Sequence, residues 1–258
     1  MIFIESQDNK TLKLIRSLQR KKGRLENGLY FAEGLRITQE ALMYAEDYIK
    51  FVILSDEYAK KNNDFVDSID KSGKTVYAVK ERLFTDVCNT ETPQGIGVVL
   101  KIPENIEFDL KRMKFVLILD GVSEPGNLGT IIRTAEAAGI DGVYLMKGCA
   151  DLYNPKVVRS TMGSLFRMKL LSGADLACLE DLKNNGFSIY ATALNDSVSI
   201  SETEKSEKTA VVIGSEAFGV SQEVLELADK KVRIDMEGRV ESLNAAVAAG
   251  ISMYMLKP

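Results

Sequence analysis

The chain has 258 residues, 45% hydrophobic and 27% charged, an ordinary globular mixture that suits one large domain or two smaller ones. It contains no histidine, which excludes serine–histidine and cysteine–histidine catalysis, histidine general bases and most zinc sites. Its formal charge of −4 speaks against nucleic acid as a partner, but the distribution along the chain points the other way: Lys10 to Arg24 holds seven basic residues and no acidic one.

Those seven are Lys10, Lys13, Arg16, Arg20, Lys21, Lys22 and Arg24. A basic patch on an acidic body suits phosphate binding, and a solvated helix face reads equally well from charge alone. Leu12, Ile15 and Leu18 recur at helical spacing through the same stretch. Gly23 and Gly28 are read as bracketing a loop. A short strand over residues 28–32 then leads into a helix from Leu35 to Tyr44. Further strands are expected at Phe51–Leu54, where Ser55 or Asp56 caps the next helix, at Thr75–Val79 and at Ile96–Leu100.

A polar connector, Pro103 to Glu107, marks a domain boundary, so the domains expected are 1–105 and 106–258. Beyond it Phe115–Leu119 is a continuous apolar run, as for a strand covered on both faces. Strands follow at Gly142–Met146, Ser188–Ala193, Thr209–Ile213 and Lys231–Ile234, with helical stretches between. This alternation predicts an α/β fold with a mostly parallel sheet, preceded by a small α/β domain.

Three cysteines, Cys88, Cys149 and Cys178, show neither a paired framework nor ligand spacing and read as core cysteines of a reduced protein. No apolar run approaches the roughly 20 residues needed to span a bilayer, and the N-terminus lacks the pattern of a signal peptide. A cytoplasmic protein without membrane or metal partners is expected. Without histidine, chemistry at an electrophile that is already activated suits the chain best.

Three segments of the second domain carry chemistry. After Leu119-Asp120, a Gly/Pro/Asn loop leads through Asn127 and Gly129 into a helix expected near Leu128, with Arg133 one turn in. Ligands collect at such carboxyl strand ends, and helix N-termini attract anions. A turn with a surface arginine is the plainer alternative. The second segment ends a strand at Gly214-Ser215-Glu216 and returns through Gly219, with Ser221 able to cap the next helix; Glu216 alone reads equally as a solvated loop acid. The third runs from Val232 through Ile234, Asp235 and Met236 to Ser242-Leu243-Asn244 and an alanine-rich helix, with Ser242 the expected N-cap and Asn244 either a local cap or a substrate ligand. Gly126-x-x-Gly129 lacks the G-x-G-x-x-G spacing of a dinucleotide site, which argues against a Rossmann-type nucleotide enzyme.

In this order the segments resemble the three motifs of the SpoU (TrmH-like) branch of the SPOUT RNA 2′-O-ribose methyltransferases. The matching residues are Asn127-x-Gly129-x-x-x-Arg133-x-Ala135, Gly214-x-Glu216-x-x-Gly219 and Ser242-Leu243-Asn244. Asn154 to Phe166 resembles the family's intermotif segment. Phe31-Ala32-Glu33-Gly34-Leu35-Arg36 and Glu91-Thr92-Pro93-Gln94-Gly95-Ile96 resemble the substrate-binding domain often fused ahead of it. The sequence departs from the family at Asp235, where proline is frequent, and at Ala217, where glycine is.

The resemblance implies a trefoil-knotted catalytic domain that binds S-adenosylmethionine, with Gly214, Ile234 and Leu243 lining the cofactor site and Ala193, Met236 and Ser242 nearby. It implies a homodimer acting on RNA. It assigns Arg133 to the ribose hydroxyl, Asn127 to substrate positioning, and Glu216, Ser242 and Asn244 to holding the motif loops and the ribose or cofactor. Arginine is effectively never deprotonated, so Arg133 is expected to orient the hydroxyl and its phosphate rather than act as base. Lys10, Arg16, Arg20, Lys21, Lys22 and Arg24 are the expected RNA contacts. The extra N-terminal domain points to large-subunit ribosomal RNA. Transfer RNA, or a non-catalytic RNA-binding protein of the same fold, is the alternative.

Overall fold

The structure, a computed structural model, describes residues 1–104, 106–240 and 242–258. Contacts divide the chain into two units. The first comprises Met1–Glu104 with Tyr153–Phe166, and the second holds the described remainder to Leu152 and Arg167–Pro258.

The first unit runs β1 (Ile2–Ile4), α1 (Lys10–Leu18), α2 (Lys21–Asn27), β2 (Leu29–Glu33), α3 (Leu35–Tyr44), β3 (Ile49–Ser55), α4 (Asp56–Lys61), α5 (Asn63–Lys71), β4 (Val76–Val79), α6 (Glu81–Thr85) and β5 (Ile96–Lys101). Its sheet has the order β1-β4-β3-β5-β2, with β5 antiparallel to both β2 and β3. Helix α1 starts where the Asn9 side chain accepts the Thr11 N–H at 2.8 Å, and it buries Leu12, Ile15 and Leu18 as their spacing predicts. The Ser55 hydroxyl caps α4 by accepting the Tyr58 N–H at 3.1 Å. Strand β1 was not expected, because three residues are too few to show a period.

The expected loop between Gly23 and Gly28 is instead helix α2. Gly23 lies inside it because the backbone needs the space: a Cβ there would sit 2.1 Å from the Ser17 carbonyl oxygen. Gly28, at φ 61°, ends the helix in the left-handed conformation. This corrects one expected RNA contact. Arg24 turns inward and is only 3% exposed, and its Nη1 donates to the Leu18 carbonyl at 2.7 Å. It ties α2 back onto the end of α1.

The second unit opens with β6 (Phe115–Asp120), α7 (Pro125–Ala138) and β7 (Gly142–Met146). The chain then contributes α8 (Pro155–Ser160) to the first unit and resumes with β8 (Leu170–Ala174), α9 (Leu176–Asn184), β9 (Ser188–Thr192), β10 (Val198–Ser199), β11 (Thr209–Gly214), α10 (Gln222–Leu227), β12 (Lys230–Arg233) and α11 (Ala245–Leu256). The sheet order is β10-β12-β9-β11-β6-β7-β8, and each described pairing in it is parallel. The core strands are apolar along their whole length because helices cover both faces; every residue of β6 from Phe115 to Leu119 is buried.

The expectation that 106–258 forms one domain needs correction for Tyr153–Phe166. Helix α8 packs on β2, and the Tyr153 ring lies 4.7 Å from that of Tyr30. Residue 105, at the expected boundary, lies outside the described residues. The cysteines are half-buried, and Cys88 and Cys178 pack against the cores of the first and second units as expected. Burial, with nearby carboxylates, raises the Cys178 thiol to about 12, and burial together with Glu33 raises Cys88 further in the same direction. Among the described residues no helix is long and apolar enough to cross a membrane, and no group of three or more metal-ligating side chains occurs.

Arg24 and Lys21 are neighbours on α2 with opposite fates, which gives a test. Arg24→Ala is expected to destabilise the chain by about 1–3 kcal/mol, because the Leu18 carbonyl loses its partner in a buried site. Lys21→Ala, at an exposed position, should stay within about 0.5 kcal/mol of the parent. Urea unfolding of the two variants measures both.

Candidate active site

The site begins with one strand pairing. Strands β6 and β11 run side by side, and their register ends with Gly214 opposite Asp120. Both loops that follow therefore emerge together at the carboxyl edge, where ligands bind in open α/β sheets. The Asp120 carboxylate joins them directly by accepting the Ser221 N–H at 2.7 Å. Ser221 precedes α10 as expected, but its side chain makes no capping bond. Asp120 is a site residue outside the three motifs; its signal in the sequence is a carboxylate at the end of a wholly apolar strand.

Helix α7 starts at Pro125, three residues before the expected Leu128. The Glu124 carboxylate caps it, accepting the Gly126 N–H at 2.6 Å, and Pro125 supplies the fixed φ of a first helical residue. Asn127 therefore lies in the first turn. On the neighbouring loop, Ser215 and Gly219 exchange backbone hydrogen bonds at 2.9 and 3.0 Å. Gly219 takes φ +70° to close this turn, and a Cβ on Gly214 would lie 2.0 Å from the Gly219 carbonyl carbon. Gly214 is thus required by its own loop, and a side chain there would deform the turn before reaching any ligand.

The third segment corrects the expected cap. Asn244, not Ser242, is the N-cap of α11: its Oδ1 accepts the Ala246 N–H at 2.9 Å and the Val247 N–H at 3.3 Å. Because the oxygen is committed to the helix, the amide nitrogen points the other way. It donates to Asn127 Oδ1 at 2.9 Å, and Asn127 Nδ2 donates to Glu216 Oε1 at 2.8 Å. Three residues from three separate segments thus form one hydrogen-bonded row whose direction is set by the helix cap. Its far end is an exposed carboxylate with acceptor capacity to spare.

Two expected members stand outside this row. Ser242 is exposed. Arg133 is also exposed, and it lies about 120° around α7 from Asn127 at the helical pitch, so the helix does not aim it into the row. Of the expected cofactor residues, Ala193, Gly214 and Ile234 directly follow or end β9, β11 and β12, which are adjacent and parallel. Ala193, Ile234, Met236 and Leu243 are half-buried, and Gly214 is buried.

Residues 114–254 match the SpoU rRNA Methylase family, and residues 9–97 match the MRM3-like substrate binding domain. The chain belongs to the SpoU rRNA methylase family. It is 37% identical over 254 residues to the 23S rRNA (guanosine(2553)-2′-O)-methyltransferase RlmP of Bacillus subtilis, covering 98% of each chain. Its fold is similar to the AdoMet-bound rRNA methyltransferase from Sinorhizobium meliloti, with TM-score 0.86 and 29% identity over 99% of this chain and 97% of that one. It is also similar to an RNA 2′-O ribose methyltransferase structure, with TM-score 0.82 and 26% identity over 99% and 98% of the two chains.

In this SpoU methylase the row borders a groove of about 590 Å³ between α7 and α11. Asn127, Thr130 and Thr134 line one side, and Asn244, Val247 and Tyr254 the other. Gly250 faces Thr134 across the groove, where a Cβ would stand 3.5 Å from Thr134 Cγ2, in ordinary contact. Val247 and Tyr254 are 50% and 58% exposed.

Asn244 has a second job, capping α11, that Asn127 does not share. Asn244→Ala should cost about 1 kcal/mol of stability through loss of the α11 cap, and Asn244→Asp should recover most of it. Asn127→Ala leaves that cap intact and should cost less than half as much. Chemical denaturation of the three variants is the measurement; equal losses at the two asparagines would contradict the assignment of the cap.

Proposed function

We propose that this chain is an RNA 2′-O-ribose methyltransferase that takes its methyl group from S-adenosylmethionine and acts on large-subunit ribosomal RNA. The observation that carries this reading is the Asn244–Asn127–Glu216 row at the joined carboxyl ends of parallel strands, in a chain 37% identical over its length to a 23S ribosomal RNA 2′-O-methyltransferase. The reading includes the trefoil knot of the family, a homodimer and a cytoplasmic setting.

The residues proposed for the cofactor fit it chemically. Ala193, Ile234, Met236 and Leu243 offer apolar side chains and backbone groups, as suits an adenine ring, and Gly214 keeps the strand end low. When bound, S-adenosylmethionine supplies a methyl group already activated on a sulfonium, so the protein needs neither metal nor histidine. Asn127 and Glu216 hold the ribose: the amide is pinned on both sides, and the carboxylate presents its free oxygen to a hydroxyl donor. Asn244 sets the direction of that row, and Ser242 stands two residues from it at the edge of the cofactor loop. In-line placement of the hydroxyl is one large source of the acceleration such a site can give.

Arg133, always protonated, orients the ribose hydroxyl and its phosphate, with that phosphate accepting the proton. Its outward position on α7 leaves it open to RNA. The groove between α7 and α11, with Val247 and Tyr254 exposed along it, is the surface on which a second copy packs. Lys10, Arg20, Lys21 and Lys22, exposed on α1, α2 and the residues between, contact RNA phosphates together with half-buried Arg16, which also donates to the Gln7 carbonyl at 2.9 Å.

Two experiments test this reading. Arg133→Ala and Arg133→Lys should each slow methyl transfer by on the order of 100-fold or more, since lysine keeps the charge but loses the planar fork. Both should still bind S-adenosylmethionine and RNA. Single-turnover assays at saturating 23S ribosomal RNA transcript measure this, with transfer RNA as the competing substrate; a normal rate for the alanine variant removes Arg133 from the chemistry. Separately, replacing Arg20, Lys21 and Lys22 by alanine should weaken RNA binding and flatten its dependence on salt, because fewer counterions are released. Cofactor affinity should not change. An unaltered salt slope would return this segment to a solvated helix face.

A further inference from the structure

Residues 234–243 join β12 to α11 without regular secondary structure among those described, yet Ile234, Met236 and Leu243 of the proposed cofactor site lie there. The exit of this loop is held by Asn244 at the cap of α11. Its entry is held by a carboxylate. Asp235 Oδ1 accepts from Arg233 Nε at 3.0 Å, and Oδ2 accepts from the Ser199 hydroxyl. Ser199 Oγ also meets Ser201 Oγ at 2.7 Å, and Arg233 Nη1 donates to the Ser197 carbonyl. The strands behind this cluster are themselves paired, with Ser199 opposite Arg233 across β10 and β12.

Asp235 therefore ties together two stretches of chain that carry cofactor residues. One is its own loop, where Ile234 and Met236 are its immediate neighbours. The other runs from Ala193, just after β9, to Ser199 in β10. We infer that Asp235 is a positioning residue that sets cofactor affinity by holding these two stretches in one geometry. The inference rests on the S-adenosylmethionine reading above. A loop left free at its entry would lose conformational freedom each time a ligand bound, and that loss subtracts from affinity. Two hydrogen bonds to a carboxylate, one of them charge-assisted on both sides, impose the order when the chain folds instead. Asp235 touches the loop's entry and Ser199 of β10 and not the reacting atoms, so its effect should fall on binding and not on the chemical step.

The test is calorimetric titration of the full chain with S-adenosylmethionine, together with initial rates on a 23S ribosomal RNA transcript. Asp235→Ala should raise both Kd and KM for the cofactor about tenfold, the size expected for losing a hydrogen bond to a charged group. Turnover at saturating cofactor and KM for RNA should stay within about twofold, as for a lost ground-state interaction. Ser199→Ala should weaken binding less, and Ser199→Thr, which keeps the hydroxyl, should bind as the parent does. The Asp235→Ala/Ser199→Ala double variant should be no weaker than Asp235→Ala alone, since both act through one contact. If the parent binds S-adenosylmethionine and Asp235→Ala binds it equally well, the inference is overturned while the function stands; this holds also where the variant melts at a lower temperature. If the parent itself does not bind S-adenosylmethionine, the functional reading fails.

Discussion

The candidate site depends on the parallel pairing of β6 with β11. These strands are separated by nearly ninety residues of chain, yet their register brings Asp120 opposite Gly214, and from that point two loops leave the sheet side by side. Asp120 then accepts a backbone N–H from the second loop, so the pairing continues past the strands as a side-chain contact. Asn127 and Glu216 meet because of this register. A slip of one residue would turn every side chain of a strand to its opposite face and would part Asp120 from Gly214, the pair from which both loops leave.

What the pairing positions, the helix caps orient. An asparagine amide has two nearly symmetric ends, and a row of two such amides could run in either direction. Here the two N–H groups at the start of α11 claim the oxygen of Asn244, and the rest of the row follows from that commitment. The polarity of the site is thus set by the unsatisfied donors that every helix N-terminus carries. The glycines serve the same end by different means. Gly214 and Gly219 let the Ser215 turn close on itself without a side chain in the way, which presents Glu216 at an exposed position two hydrogen bonds away from the N-cap of α11.

The basic stretch near the N-terminus shows how burial sorts charges that look alike in sequence. Lys10, Arg20, Lys21 and Lys22 remain in water, where they suit a phosphate backbone. Arg24 satisfies the Leu18 carbonyl between two short helices, beside the place where Gly23 lets the backbone approach Ser17. A guanidinium carries five donors in a fixed fork, which makes arginine the cation most able to leave water when a partner is supplied. Lysine at the same place would hold a compact, strongly hydrated charge at greater cost.

Much of this protein was determined by its sequence alone. The apolar runs at Phe115–Leu119 and Thr209–Ile213 are legible as buried strands because their composition leaves no solvent face. The absence of histidine and the order of the Asn127, Glu216 and Asn244 segments are likewise visible without coordinates. Other features arise only from contacts between residues distant in sequence. Strand β1 exists because β4 offers an edge, α2 because Gly23 can approach Ser17, and the packing of Tyr153–Phe166 with the first unit because β2 receives α8. The cap at Asn244 rather than Ser242, and the network around Asp235, depend on which backbone donors and hydroxyls arrive nearby. A local pattern records what a residue prefers to bury; it does not record which partner will be in reach, and hydrogen-bonded sites are made of such partners.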